Sequence, residues 1–173
     1  MDPPEINLGR HDKFGPHHPS TMSDDDLRTL RVDFQIPDGI ELVRPETNES
    51  PESEKPGFCC AYEVYFRECG LHFPLPEALA LFTQQLGLAI SQLCPNFVRG
   101  VMGLQTLVEE FGFPLDLPIL SRIFTVKASP SPRGYFYLSI KKSYGLLSGR
   151  PPKDEHWKKR YFSFPLMSSL SVL

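Results

Sequence analysis

The sequence predicts a mostly α-helical domain with a small antiparallel β-hairpin near its C-terminal end, preceded by a disordered acidic N-terminal arm. Three observations predict it. From Gly57 onward apolar residues recur at helical spacing in four successive segments. "YFYLSIKK" and "KRYFSF", close to the end, alternate with period two instead. The first 56 residues hold 8 of the 18 prolines and a net charge of −7, leaving too little apolar surface to offset the entropy of ordering them. With 173 residues, 40% of them apolar, the chain is sized for one core.

Residues 1–30 read as a disordered tail, with Asp24, Asp25 and Asp26 as solvating charge. Residues 31–44 read as a short extended arm or strand: Val32, Phe34 and Ile36 alternate with polar residues, and Pro37-Asp38-Gly39 is a turn signal. Residues 45–56, rich in Pro, Glu and Ser, read as a linker to a domain over 57–166, and 167–173 as a tail. In the first predicted helix Tyr62, Tyr65, Phe66 and Cys69 share a face and Gly70 ends it. Leu75, Leu79, Phe82 and Leu86 stripe the second, which stops at Gly87. The third opens near Pro95 and carries Phe97, Val101, Leu104, Val108 and Phe111 towards the core, with Gly100 and Gly103 as close-packing positions. Asp116 caps the fourth, which presents Leu117, Leu120 and Phe124. Phe136, Leu138 and Ile140 then form one strand and Phe162 and Phe164 its hairpin partner, across a Gly/Pro-rich loop.

The net charge of −3 hides a polarised chain: −7 over residues 1–56, −4 over 57–120 and +8 over 121–173. No apolar run reaches the ~18 residues of a membrane span, and the acidic, proline-bearing start is unlike a signal peptide, so an intracellular protein of nucleus or cytoplasm is expected. Cysteines there are reduced thiols. Cys59, Cys60, Cys69 and Cys94, with His72, lack the paired spacing of a zinc site, so packing is expected and no metal or cofactor. The histidines are scattered, no nucleophile elbow occurs, and "GVMGLQT" lacks the P-loop lysine. No enzymatic activity is therefore expected. The strongest feature outside the core is basic and aromatic. Lys141, Lys142, Arg150, Lys153, Lys158, Lys159 and Arg160 lie among Tyr135, Tyr137, Tyr144, Trp157 and Tyr161. Cations among stacking rings suit single-stranded nucleic acid, and Trp157 with those seven cations forms the candidate contact set.

"GFCCAYEVYFRECGLHFPLP", "LAISQLCPNFVRGVMGL" and "HWKKRYFSF", in that order and behind "IPDGIELVRP", are similar to the plant gypsy-type transposon domain, a retroelement-derived family also labelled a transposase. The resemblance covers roughly residues 34 to 165. It implies descent from a mobile element but no catalytic residue, because the protease, polymerase, integrase and zinc-knuckle motifs of such elements do not occur in this sequence. The expected function is a non-catalytic structural or interaction domain with a protein partner or self-association. The alternative is a nucleic-acid-binding accessory domain built on the basic C-terminal third.

Overall fold

The N-terminal segment departs first from expectation, because a helix stands where disorder and an extended arm were predicted. The computed structural model describes residues 17–53, 55–131, 133–141 and 154–166. Within them α1 spans Asp24–Asp33. The Ser23 hydroxyl accepts from the Asp26 N–H at 3.1 Å, and the Asp26 carboxylate accepts from the Ser23 N–H at 2.7 Å, a capping box hidden in what reads as an acidic tail. The three aspartates favour the positive end of the helix dipole. Leu27 and Leu30 are buried, whereas Val32 is exposed. At the other end the Arg31 guanidinium donates to the carbonyls of Ile36 (3.2 Å), Pro37 (2.6 Å) and Ile40 (2.6 Å), closing the predicted turn. Ile36 and Ile40 at this turn are buried in the core, and beyond it Val43 and Ser163 exchange backbone hydrogen bonds at 2.8 and 2.9 Å.

The predicted first helix is two elements, strand β1 (Phe58–Tyr62) and short helix α2 (Glu63–Arg67). The period-three spacing of Tyr62, Tyr65 and Phe66 belongs to the junction and α2. "FCCAY" carries no helical stripe and extends against β4 (Tyr161–Pro165), with Ala61 opposite Phe162 and Tyr62 opposite Tyr161. Gly70 then takes φ +78°, which glycine adopts without steric cost. Helices α3 (Glu77–Leu86), α4 (Pro95–Glu110) and α5 (Leu117–Ile123) follow the prediction. Gly87 ends α3 in the left-handed region, Pro95 opens α4, and the Asp116 carboxylate accepts from the Ile119 N–H at 2.8 Å.

The C-terminal hairpin is corrected. β3 (Phe136–Ile140) pairs antiparallel with β2 (Phe124–Ala128), and β4 pairs with β1, so the two predicted strands lie in different sheets. Phe124, predicted on the fourth helix, begins β2. Among the described residues the architecture is mixed α/β, five helices with two antiparallel two-stranded sheets, rather than mostly helical. Gly100 lets β2 and β3 approach α4, since a Cβ there would meet Leu138 Cδ1 at 3.2 Å and Phe124 Cζ at 3.5 Å. Gly103 has no such neighbour and is not a packing position. Phe111 was expected in the core but is exposed, because α4 ends at Glu110 and the chain turns away through Gly112 at φ +72°.

One apolar core runs through all of these elements, centred on the fully buried Leu79, Phe97, Val98, Val101, Phe162 and Phe164. Asn96 donates to the Leu138 carbonyl at 3.2 Å, tying the start of α4 to β3. Arg99 forms a forked pair with Asp154 at 2.9 and 3.3 Å, tying the segment ahead of Trp157 to α4.

Candidate interaction surface

The basic and aromatic residues that sequence singled out meet only in part. Trp157 stands in a short turn ahead of β4, half-buried, edge-on to Tyr62 at 4.6 Å and Tyr135 at 5.3 Å between ring centroids. It caps an aromatic cluster in which the Tyr62 and Tyr135 hydroxyls are 2.9 Å apart. The Tyr65 hydroxyl in that cluster donates to the carbonyls of Ile90 and Leu93 at 3.1 and 2.5 Å. Lys158 lays its ammonium over the Tyr135 and Trp157 rings, 5.2 and 5.8 Å from their centroids, and burial lowers its pKa. Lys159 is exposed, and Lys141 donates to the Ser121 carbonyl at 2.7 Å. Lys142, Arg150 and Lys153 lie outside the described residues.

Arg160 is committed elsewhere. It pairs with buried Glu63 and, at 3.0 Å, with Asp26, while Arg67 pairs with Glu63 at 2.7 Å and with Asp33 at 3.1 Å. The result is a chain of alternating charge, Asp33, Arg67, Glu63, Arg160 and Asp26, that fastens α1 to α2 and β4. Burial pushes the Glu63 carboxyl up, but the two guanidiniums overcome it and hold its pKa below the ordinary value. The Ser23 backbone and hydroxyl, with Arg160, pull Asp26 down to about 2.

Cys69 is buried and Cys59, Cys60 and Cys94 are half-buried, and no group of metal-ligating side chains occurs among the described residues. Burial pushes Cys69 up to about 12 and Cys94 up to about 11, and raises Cys59 and Cys60 also. These thiols should therefore alkylate at about pH 8 some hundredfold more slowly than a free thiol until the chain is unfolded. Cys59, which lines two open cavities, should react first. Rapid native-state labelling of Cys69 or Cys94, read by mass spectrometry, would remove the packing account.

A concavity beside α3 was not anticipated from sequence. Along α3 runs a cavity of about 710 Å³ floored by Leu75, Leu81 and Leu88 and reaching Leu166. It shares His72, Pro76, Glu77 and Leu81 with a second, of about 600 Å³, that continues past Leu115 of the α4–α5 connection and Leu117 at the start of α5. Leu81 is 41% exposed. The legible signal was that Leu81 and Leu88 are apolar yet lie off the Leu75/Leu79/Phe82/Leu86 stripe. Three carboxylates line the paired cavities, Glu77, Glu109 and Asp116, and no lysine or arginine among the described residues does so. No group of metal-ligating side chains occurs here among the described residues. The arrangement offers an apolar trough with an acidic rim.

Over 124 residues the chain is 31% identical to the meiosis-specific protein ASY2 of Arabidopsis thaliana, covering 71% of this chain and 9% of that protein. Over 144 residues it is 25% identical to an uncharacterized chloroplastic protein of the same plant, covering 83% of this chain and 18% of that one. The chain thus spans less than a fifth of either relative's length. No family model matches it, and no solved structure matches it. No helix among the described residues is long and apolar enough to cross a membrane.

Proposed function

We propose that this chain is a non-catalytic protein-interaction domain, a module that also occurs inside longer plant proteins. The observation that carries the reading is the recurrence of most of its length within two much longer proteins with different names, of which it makes up 9% and 18%. A segment reused in that way serves its hosts by folding and binding. The open apolar trough beside α3 supplies a surface for it. Descent from a gypsy-type element is part of the proposal and rests on the three sequence motifs alone. The reading places the module inside the cell, and a meiosis-specific relative favours the nucleus over the cytoplasm.

A second reading, contact with single-stranded nucleic acid, draws on Lys158 over its two rings and on exposed Lys159. It is the weaker one, because Arg160 is spent on Glu63 and Asp26, and Trp157 is packed edge-on against tyrosines. Sedimentation of the purified chain over a wide concentration range, with retention of partners from nuclear and cytosolic extracts, tests the two together. Self-association or a saturable protein partner that survives nuclease treatment is expected. A strict monomer that retains no protein, yet binds oligo-dT with a steep salt dependence lost in Lys158→Ala/Lys159→Ala, would replace the first reading by the second.

A further inference from the structure

We propose that the trough along α3 receives a basic amphipathic helix from a partner protein. The assignment rests on the interaction-domain reading and adds to it the place and the chemistry of the contact.

Charge is the first argument. Residues 57–120, which supply all of the lining except Leu166, carry a net charge of −4 and only two basic residues, Arg67 and Arg99. Both are committed: Arg67 to Glu63 and Asp33, and Arg99 to Asp154. Glu77 stands in the first turn of α3 and forms no ion pair among the described residues. Glu109 accepts from the Gln105 amide, and Asp116 caps α5. Three carboxylates thus line the paired cavities, with no lysine or arginine beside them in the lining among the described residues, while leucines and prolines make up much of the wall. A neutral or acidic ligand would leave them uncompensated at the edge of a drying surface. A ligand with Lys or Arg flanking an apolar stripe meets both demands.

The backbone argues for a helix rather than an extended segment. Much of the lining comes from the sides of α3 and α4 and from four prolines, Pro74, Pro76, Pro114 and Pro118, which have no N–H to give, and β1 contributes Cys59 alone. A strand laid along α3 would meet the side of a helix rather than a strand edge, whereas a helix brings its own backbone hydrogen bonds and asks only for side-chain complementarity. The ten residues of α3 make a wall about 15 Å long, room for about three turns of a partner presenting anchors at i, i+3, i+4 and i+7.

The test uses the full 173-residue chain. It is titrated with three fluorescein-labelled helical peptides of about 18 residues sharing one leucine stripe, flanked by Lys and Arg, by Gln, or by Glu. The basic peptide should bind at least tenfold more tightly than the neutral one and the acidic peptide should not bind. Glu77→Lys/Glu109→Lys should weaken the basic peptide about tenfold and Leu81→Asp about thirtyfold. Leu81 is substantially exposed, so circular dichroism and Tm should show the variant folded. Binding that ignores Leu81→Asp, or that favours the neutral or acidic peptide, overturns the proposal. If a natural partner is retained equally by wild type and Leu81→Asp, the trough assignment falls while the interaction reading stands. If neither a peptide nor any partner binds, both fall. Oligo-dT displacing the basic peptide from wild type but failing to bind Lys158→Ala/Lys159→Ala would move the ligand to nucleic acid and overturn it as well.

Discussion

Replacing Tyr62 by alanine is expected to cost about 4 kcal/mol, as large aromatic-to-alanine changes at fully buried sites do. The ring is 0% exposed and is the hub of the aromatic cluster, edge-on to Tyr65 at 5.5 Å and to Trp157 at 4.6 Å, and 6.0 Å from Tyr161. It is also the last residue of β1, opposite Tyr161, so the cavity would open where the β1–β4 sheet meets the first turn of α2. Tyr62→Phe separates packing from polarity. It keeps the ring but removes the hydroxyl that meets Tyr135 at 2.9 Å and His17 Nε2 at 3.2 Å, for about 1 kcal/mol. Urea titrations with an unchanged m-value measure both. A Tyr62→Ala midpoint within about 1 kcal/mol of wild type would mean that the cluster collapses onto the vacancy and does not hold the sheet.

How far the fold was legible follows from which interactions are local. The ends of α3, α4 and α5 are written by Gly87, Pro95 and Asp116, each acting within a turn of itself, and sequence located all three. Strand partners are not local. "YFYLSIKK" and "KRYFSF" both alternate correctly, but alternation says which residues face together and nothing about which strand lies alongside. Their true partners were masked, β2 by continuing the apolar face of α5 into Phe124, and β1 by Tyr62, Tyr65 and Phe66, whose spacing mimics a helix that starts only at Glu63. Helix α1 differs in kind. Ser23 and Asp26 form a local signal that was readable, but it was outweighed by the polar composition around it. The candidate surface was the least legible. An apolar trough needs Leu81 and Leu88 to be left over once the core is filled, and only the folded arrangement shows which leucines those are.

Glu63→Gln is expected to destabilise the chain by about 2 kcal/mol and to blunt its sensitivity to acid. Glu63 is 6% exposed and sits between two guanidiniums, so its removal leaves Arg67 and Arg160 facing each other across a neutral amide. Breaking a fully buried pair costs ~3–5 kcal/mol, but both arginines are more than a third exposed and keep Asp33 and Asp26, so solvent and the outer carboxylates absorb part of the loss. The pH dependence follows from the same geometry. In the folded chain Glu63 and Asp26 both titrate below their ordinary values, Asp26 at about 2. Their contribution is therefore complete above the unfolded values near pH 4 and is lost as the pH falls through the folded ones. Wild type should lose stability steeply from about pH 4 down to about pH 2, and Glu63→Gln, with one of the two titrations gone, should lose less over that interval. The network spans α1, α2 and the start of β4, so the acid transition should release α1 together with the β4 end of the sheet. Loss of amide-exchange protection at Leu27 and Leu30 in step with Phe162 would show this. Equal midpoints for wild type and Glu63→Gln at neutral pH, with parallel acid limbs, would mean that the five charges are solvated ornaments and that α1 is held by Leu27 and Leu30 alone.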